Sequence, residues 1–249
     1  MLPTMRASNP TLSENAFSSA GLRSAQPMTL QGTVNKSAFF LMLAFFTAVM
    51  TWSKVHENPA GAMPWIFGSA IVGFIFAIIT HFKKEWSAMT GSLYALAEGV
   101  FLGGISAMYE ARFHGLVLQA VLLTFGVFLA LLAVYTLRLV TVNDKFRTAI
   151  FAATGGIALV YLATIVLGFF NVQIPYIHGS GAIGIGFSLI VVGIAAMNLL
   201  LDFDMIERGV IQGAPKYMEW YAAFGLLVTL VWLYLEILRL LAKIAGRRD

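Results

Sequence analysis

The chain has 249 residues, of which 59% are hydrophobic and only 11% are charged, with a mean hydropathy of +0.82. Soluble globular proteins carry roughly 25% charged residues, so one core of this length could not enclose so much apolar surface. The composition excludes an ordinary soluble protein and predicts a polytopic membrane protein. We interpret the net charge of +4 as contact with lipid headgroups at the inner leaflet rather than as nucleic-acid binding.

Residues 1–35 differ from the rest of the chain, because they are polar and rich in Ser, Asn and Pro. They contain no apolar run that ends in a small-residue cleavage site, so they do not match a secretory signal. We expect a flexible cytosolic tail over 1–35, followed by a transmembrane domain over 36–246.

Seven apolar segments follow the tail, and each is close to the ~20 residues that cross the hydrocarbon of a bilayer as a helix. Helices are favoured because every backbone polar group must be satisfied inside its own segment. The predicted fold is an all-α bundle of seven transmembrane helices. The segments are 37–53, 63–82, 87–108, 115–137, 148–170, 181–201 and 221–244.

The positions of Lys and Arg predict the orientation, since cytosolic connections carry an excess of both. With the N-terminus inside, the inner connections collect ten Lys and Arg, whereas the outer ones hold only Lys54 and Arg112. A seventh crossing would put Lys243, Arg247 and Arg248 outside, against this asymmetry. A re-entrant last segment is the alternative, but we predict seven full crossings.

Four formal charges fall within the seven segments: Glu98, Glu236, Arg239 and Lys243. Lys243 lies next to a segment end, where its side chain can reach the interface. The others need partners, because a bare charge at the bilayer centre costs at least ~2.5–3.5 kcal/mol. Glu236 and Arg239 lie on one helix face and could form a local ion pair. We favour a functional Glu236, because a buried ion pair generally stabilises a fold no better than two leucines at the same positions would.

Glu98 lies among small residues that repeat every four positions: Ala95, Gly99, Gly103 and Ala107. This spacing forms a smooth helix face that another backbone can approach closely. The favoured interpretation is tight packing with a hydrogen-bonded Glu98. The alternative is that Glu98 lines a polar cavity.

Three carboxylates, Asp202, Asp204 and Glu207, follow the sixth apolar segment within six positions. Asp204 has Arg208 four residues later and is predicted to form a solvated ion pair with it. Asp202 is nearest the apolar run, with Asn198 one turn before it on the same face. The stretch lacks the later ligands and the glycine of an EF-hand loop, so that motif is rejected.

No known catalytic motif is present: the chain has no HExxH, GxSxG, phosphate-binding loop or dinucleotide fingerprint. We therefore predict that the protein is not an enzyme and has no cofactor. The absence of Cys excludes disulfides and thiolate metal sites.

Three stretches resemble the Bax inhibitor-1 family, the transmembrane Bax inhibitor motif proteins, in its bacterial form. They are LAEGVFLGGISAMYE (96–110), LLLDFDMIERG (199–209) and EWYAAFGLLVTLVWLYLEILRLLAKI (219–244). The family pattern has an aspartate at the end of the sixth helix, where this chain has Asp202. It has an acid in the seventh helix after Leu-Tyr-Leu, where this chain has Glu236.

The resemblance implies a seven-helix bundle with the last helix at its centre, in a bacterial plasma membrane. It also implies a pH-sensitive calcium leak pathway, gated by two facing carboxyls that share a proton. Asp202 and Glu236 would then be the gate and could bind calcium transiently, because hard cations prefer oxygen ligands. Some bacterial relatives add an arginine latch in the second helix, but no Lys or Arg lies between 63 and 82 here.

Depth is a difficulty for this carboxyl pair. Asp202 is expected at the inner face, whereas Glu236 lies 15 residues, or ~22 Å, into the seventh segment. We therefore predict that residues 210–225 fold partly at the interface and that the last crossing begins near Leu226.

Two other functions stay open. A proton-coupled transporter would use Glu98 and Glu236 as proton carriers and would show saturable, stoichiometric flux. A regulatory protein would bind a membrane partner, such as a protease, chiefly through the N-terminal tail. In either case the partners are the lipid bilayer and small ions or a membrane protein, not nucleic acid.

Overall fold

Seven long α-helices make up most of the chain that the structure describes, residues 26–170 and 179–247 of a computed structural model. A short 3-10 turn, Lys84–Trp86, leads into the third helix. Each of the seven is long and apolar enough to cross a membrane, so the predicted all-α bundle is confirmed. The helices are α1 (Leu30–Glu57), α2 (Pro59–Phe82), α3 (Ser87–Arg112), α4 (Leu116–Thr136), α5 (Asp144–Phe169), α6 (Ala182–Ile211) and α7 (Met218–Ala245).

The last helix, α7, is at the centre of the bundle. Half of its most apolar stretch is buried, compared with 11% for α4 and for α5, and it packs against α1, α3, α4 and α6. It runs unbroken for 28 residues, so the chain does not adopt the re-entrant alternative. The outer surfaces of the other helices expose large apolar side chains such as Phe45, Phe74 and Leu159, as lipid-facing surfaces do.

The small-residue face of α3 packs against α1 as its spacing predicts. A Cβ added at Gly99 would collide with the backbone carbonyl of Ala44, and one added at Gly103 would collide with that of Ala48. The hydroxyl of Thr47 also donates to the Leu96 carbonyl at 3.0 Å. Close backbone approach therefore joins α1 to α3, as it does at small-residue interfaces in membranes generally.

The first helix begins at Leu30, seven residues before the start predicted from hydropathy. Thr29 caps it, because its side chain accepts a hydrogen bond from the Gly32 amide. Residues 1–25 of the predicted tail lie outside the described residues, but residues 30–35 are part of α1. Just before the cap, the Met28 amide donates to the Ala214 carbonyl at 2.6 Å, so the chain before α1 contacts the turn between α6 and α7.

The turn between α6 and α7 differs from the prediction. α6 continues to Ile211, ten residues beyond its predicted end, and α7 begins at Met218 rather than near Leu226. A tight turn with Gly213 at φ +67° connects them, and no interfacial segment spans 210–225. Hydropathy falls in this region because of its charges, but Asp204, Glu207 and Glu219 are each paired with a basic residue from another element, as described below. The helices can therefore continue past the predicted boundaries.

We call the end of the bundle that holds this turn and residues 26–29 the proximal end, and the opposite end the distal end. Chain direction places the start of α6 and the finish of α7 at the distal end. Asp202 lies nine residues before the finish of α6, or ~14 Å from its end. It is therefore inside the bundle and not at a helix terminus.

Candidate functional site

Asp202 points into the interface between α6 and α7. Its Oδ2 atom is fully enclosed, and among the described residues this atom has no hydrogen-bond partner. The hydroxyl of Thr229 on α7 lies beside the carboxyl. A buried carboxyl that has only a hydroxyl beside it is costly to ionise, so a bound proton or a cation would stabilise it.

Glu236 lies deeper in the bundle and is almost completely buried, with 1% of its surface exposed. Its Oε1 atom accepts two hydrogen bonds of 2.8 Å, one from the Tyr161 hydroxyl of α5 and one from the Arg239 guanidinium. The same guanidinium donates to the Tyr161 hydroxyl at 2.7 Å. The local ion pair, which the sequence left open as the alternative, therefore exists, and Tyr161 is a partner that the sequence did not indicate.

The second oxygen of Glu236, Oε2, is enclosed and has no hydrogen-bond partner within the described part of the chain. Glu236 thus resembles Asp202, because polar groups lie beside each carboxyl while one of its two oxygens has no hydrogen-bond partner among the described residues. Burial of such an atom destabilises the folded state by about 1–3 kcal/mol unless something binds it. Among the described residues, Asp202 and Glu236 are the two that have a buried side-chain oxygen without a hydrogen-bond partner.

The two carboxyls lie at successive levels along α7 rather than side by side. Asp202 faces Thr229, and Glu236 follows Thr229 by seven residues, which is ~10 Å along a helix. No described hydrogen bond joins them. In this conformation the carboxyls are therefore stacked along one interface, with a gap of about two helical turns between their levels.

Asn198 lies between these levels on α6. Its side-chain amide donates to the Thr154 hydroxyl of α5 and to the Ile194 carbonyl, both at 2.9 Å. One turn separates Asn198 from Asp202, in agreement with the predicted shared face. Asn198 is thus a polar step between the two carboxyls.

The polar residues extend toward both ends of the bundle. At the distal end, the Lys243 ammonium donates to the Ser188 hydroxyl at 2.8 Å and to the Gly184 carbonyl at 3.1 Å. Lys243 is only 7% exposed, so it is buried against α6 and does not extend to the interface as predicted. We refer to Asp202, Asn198, Glu236 and Lys243 together as the polar column, which lies among α5, α6 and α7.

Basic residues enclose the proximal end of the polar column. Asp204 accepts from Arg208 at 2.8 Å, as predicted, and also from Arg147 of α5 at 2.6 Å. The pair is not the solvated one expected, because the Asp204 side chain is only 13% exposed. Glu207 forms an ion pair with Arg138 and a hydrogen bond with Tyr135. Arg138 lies in the connection after α4, and its hydrogen bond to Glu207 raises its pKa above the ordinary value. These pairs tie α4, α5 and α6 together at this end.

Glu98 is not part of the polar column. It lies between α2 and α3, beside the Tyr94 hydroxyl, and its Oε2 would be 3.3 Å from a Cβ built on Gly73. Tyr94 in turn packs edge-on against Phe224 of α7. This environment agrees better with the favoured packing interpretation of Glu98 than with a position on a shared pathway.

One buried acid was missed at the sequence level. Glu219, in the first turn of α7, is fully buried and forms an ion pair with Lys36 of α1. It also accepts hydrogen bonds of 2.9 Å from the backbone amide and the hydroxyl of Thr29. The ammonium of Lys36 lies 5.2 Å from the centre of the Trp220 ring. The only sequence signal was an acid beside a tryptophan, which does not reveal a partner 183 residues away.

The described residues contain no group of three or more His, Asp or Glu side chains that could hold a metal ion. Asp202 and Glu236 could each offer oxygen atoms to a passing cation, but neither has a second acid beside it.

A family model described as Bax inhibitor 1 like matches residues 9–246, which is nearly the whole chain. No curated protein matches the sequence significantly.

Proposed function

The chain belongs to the Bax inhibitor-1 family, and on this basis we propose that it is a pH-sensitive calcium leak channel gated by the carboxyls of Asp202 and Glu236. It is a multi-pass membrane protein. The observation that carries the proposal is the pair of enclosed carboxyl oxygens without hydrogen-bond partners at the α6–α7 interface. Both belong to the residues that match the acidic positions of the family pattern.

The protonated state is the closed one in this proposal. In that state the two carboxyls hold one proton: Asp202 is neutral, whereas Glu236 is ionised and paired with Arg239. A neutral carboxyl is tolerated in a dry interface, but a second ionised one would leave uncompensated charge there. Loss of the proton therefore introduces negative charge between α6 and α7. Water and a cation then enter, because carboxylate, amide and hydroxyl oxygens along the polar column can replace part of the hydration shell of Ca²⁺.

The two carboxyls influence one another even though they are stacked. Two unit charges ~10 Å apart repel by about 1.7 kcal/mol at an effective dielectric constant of about 20. That repulsion opposes the second ionisation by more than tenfold. Sharing of one charge between the two sites therefore needs no direct hydrogen bond, although it is weaker than in a pair that is in contact.

Arg239 holds Glu236 in the closed state. Its guanidinium binds both Glu236 and Tyr161, so it links α5 to α7. It thereby supplies the restraint that a second-helix arginine provides in some relatives. Opening would require this contact to loosen.

The orientation that we propose places the proximal end in the cytosol of a bacterial cell, with the plasma membrane around the bundle. The support is the excess of Lys and Arg in the connections at this end. Cytosolic pH would then act on Asp202 from the nearer side, through the ion pairs that enclose the column.

The experiment is calcium entry into liposomes, followed with an enclosed dye at about pH 6, 7 and 8. Wild type should leak faster as the pH rises, whereas Asp202→Asn and Glu236→Gln should lose most of that dependence. Asp144→Asn is the matched control, because its side chain is 81% exposed at the start of α5 and should titrate like wild type. A leak that is absent at every pH, or an unchanged titration in both variants, contradicts the proposal.

The same assay distinguishes the transporter alternative, which is favoured by the extent of the polar column through the bundle. A transporter would give flux that saturates with calcium and moves protons in a fixed ratio. A leak would follow the calcium gradient without stoichiometric proton movement, which a second dye for internal pH would record.

A further inference from the structure

Three side chains that recur every seven residues along α5 contact polar groups of α6 and α7. In chain order they are Arg147, Thr154 and Tyr161. The first binds Asp204 at 2.6 Å and the second accepts from Asn198 at 2.9 Å, whereas the third binds Glu236 and Arg239 on α7. We call them the proximal, middle and distal contacts of α5. Seven residues are close to two helical turns, so the three contacts share one face of the helix.

The distal half of α5, residues 155–169, has little apolar attachment to the bundle. Of its residues only Ile157 is buried. The Tyr161 ring also packs edge-on against Phe187 of α6, with the ring centres 6.4 Å apart. Large apolar side chains of this half instead expose most of their surface, among them Leu159, Ile165 and Phe169. The attachment of the distal half to the bundle therefore depends largely on Ile157 and on the distal contact.

Two adjacent glycines, Gly155 and Gly156, begin this half directly after the middle contact. The helix is continuous through them, and a Cβ built at either position would have no atom within 4 Å. Packing therefore does not require glycine here, in contrast to Gly99 and Gly103 of α3. Glycine destabilises a helix interior relative to alanine, and sharp bends occur at such pairs of small residues. The pair marks the point at which α5 bends most easily.

We propose that the distal half of α5 is a lid over Glu236, which opens by bending at Gly155 and Gly156 and by release of Tyr161. The proximal and middle contacts keep the other half of α5 on α6. The ion pair of Glu236 with Arg239 lies within α7, so its charges do not have to separate when the lid opens. Opening breaks the two hydrogen bonds of the Tyr161 hydroxyl and its ring contact with α6. Water can replace those hydrogen bonds, and it then reaches the Glu236 carboxyl.

The role of this lid in gating rests on the proposed function, because access of water to Glu236 matters for conduction only if ions pass that level. Tyr161 is a positioning residue in this mechanism. Its hydroxyl donates to Glu236 at 2.8 Å and accepts from Arg239 at 2.7 Å, so it holds the lid against the ion pair without a charge of its own. The motion itself can be measured in the absence of any leak.

The test of the motion is the distance between nitroxide labels, measured by pulsed electron paramagnetic resonance in liposomes. The chain has no Cys, so introduced cysteines alone take the label. Leu122→Cys of α4 with Ile165→Cys reports on the distal half of α5, and Leu129→Cys with Thr148→Cys reports on the proximal half; all four positions are exposed. Tyr161→Phe should increase the population of a longer distance in the distal pair about tenfold, because the ring stays but its hydrogen bonds are lost. The proximal pair should not change. An unchanged distal distance in Tyr161→Phe overturns the lid.

Gly155→Ala combined with Gly156→Ala tests the bend without a change in packing. No atom obstructs the added methyl groups, so the variant should unfold at a temperature no lower than wild type. Because alanine favours the straight helix, the pair should reduce the longer distance in the Tyr161→Phe background about tenfold. Gly126→Ala of α4 is the matched control, since a Cβ there also has no atom within 4 Å, and it should leave the distances unchanged. A longer distance that keeps its full population in the alanine pair overturns the proposal.

The calcium assay on the same variants separates the lid from the gate. We expect Tyr161→Phe to leak about tenfold faster than wild type and the alanine pair to leak more slowly. Movement of the lid in a protein that never leaks would support the lid and contradict the proposed function. A pH-dependent leak in wild type that neither variant alters would leave the proposed function intact and overturn the role of the lid in it.

Discussion

The side-chain amide of Asn198 donates to the Thr154 hydroxyl at 2.9 Å and so ties α6 to α5 between the levels of the two buried carboxyls. In the proposed channel, this bond is a polar step between the levels of Asp202 and Glu236, which are about two helical turns apart.

Asn198→Leu should therefore lower the calcium leak while the bundle stays folded. We expect a decrease of about tenfold, which corresponds to ~1.4 kcal/mol, the size of one lost polar contact. Thr154→Val is the partial version, because it removes only the hydroxyl partner and leaves the amide, and its leak should lie between the other two. A wild-type leak rate in Asn198→Leu would show that ions do not pass this level.

Glu236 and Arg239 should contribute more to the free energy of unfolding together than the sum of their separate contributions. Arg239→Gln leaves the buried Glu236 without its cation and should destabilise the protein by about 3 kcal/mol. Addition of Glu236→Gln to that variant should restore much of the loss, because the uncompensated charge is then removed. Chemical unfolding of the four proteins forms a double-mutant cycle. Simple additivity would mean that the pair contributes no coupling.

The contact of α1 with α7 should depend on Lys36, whose removal leaves Glu219 buried without a cation. We expect Lys36→Met to destabilise the protein by about 3–5 kcal/mol. Lys216→Met removes a cation from the neighbouring turn, where no described residue pairs with it, and should have little effect. Equal thermal stability of the two variants would contradict the role assigned to the Lys36–Glu219 pair.

The same contact defines how the N-terminal tail should be tested. A protein that begins at residue 26 keeps Thr29 and Lys36, so we expect it to retain the unfolding temperature and the leak of the full chain. One that begins at residue 36 loses Thr29 and the first turns of α1 and should be destabilised. Loss of a regulatory effect in the protein that begins at residue 26, with flux retained, would support the partner-binding alternative.

Close packing of α3 on α1 gives a prediction about glycine. Gly99→Ala forces a methyl group against the Ala44 carbonyl and should cost about 1–3 kcal/mol. Gly126→Ala is the control, because no atom lies within 4 Å of a Cβ at that position in α4. There the substitution should be neutral or stabilise the helix by about 0.5–1 kcal/mol. Thermal unfolding of both variants in one detergent checks the difference.

Much of the fold is determined by the sequence alone. The seven helices follow from apolar length, because a bilayer admits only segments that satisfy their own backbone. The close contact of α3 follows from glycine spacing, and the family follows from the stretches around Asp202 and Glu236. The Glu236–Arg239 and Asp204–Arg208 pairs were also predictable, because residues three or four apart share a helix face.

Only the tertiary structure decided which charges meet across helices. The pairs of Lys36 with Glu219 and of Arg147 with Asp204 join residues far apart in the chain, and hydropathy carries no information about partners. These pairs also explain the wrong prediction for the turn between α6 and α7. A charge scored alone lowers the hydropathy of its segment and shortens the predicted helix, whereas a charge neutralised by a neighbouring helix lets the real helix continue. The continuation of α6 to Ile211 in turn places Asp202 inside the bundle rather than at a helix end.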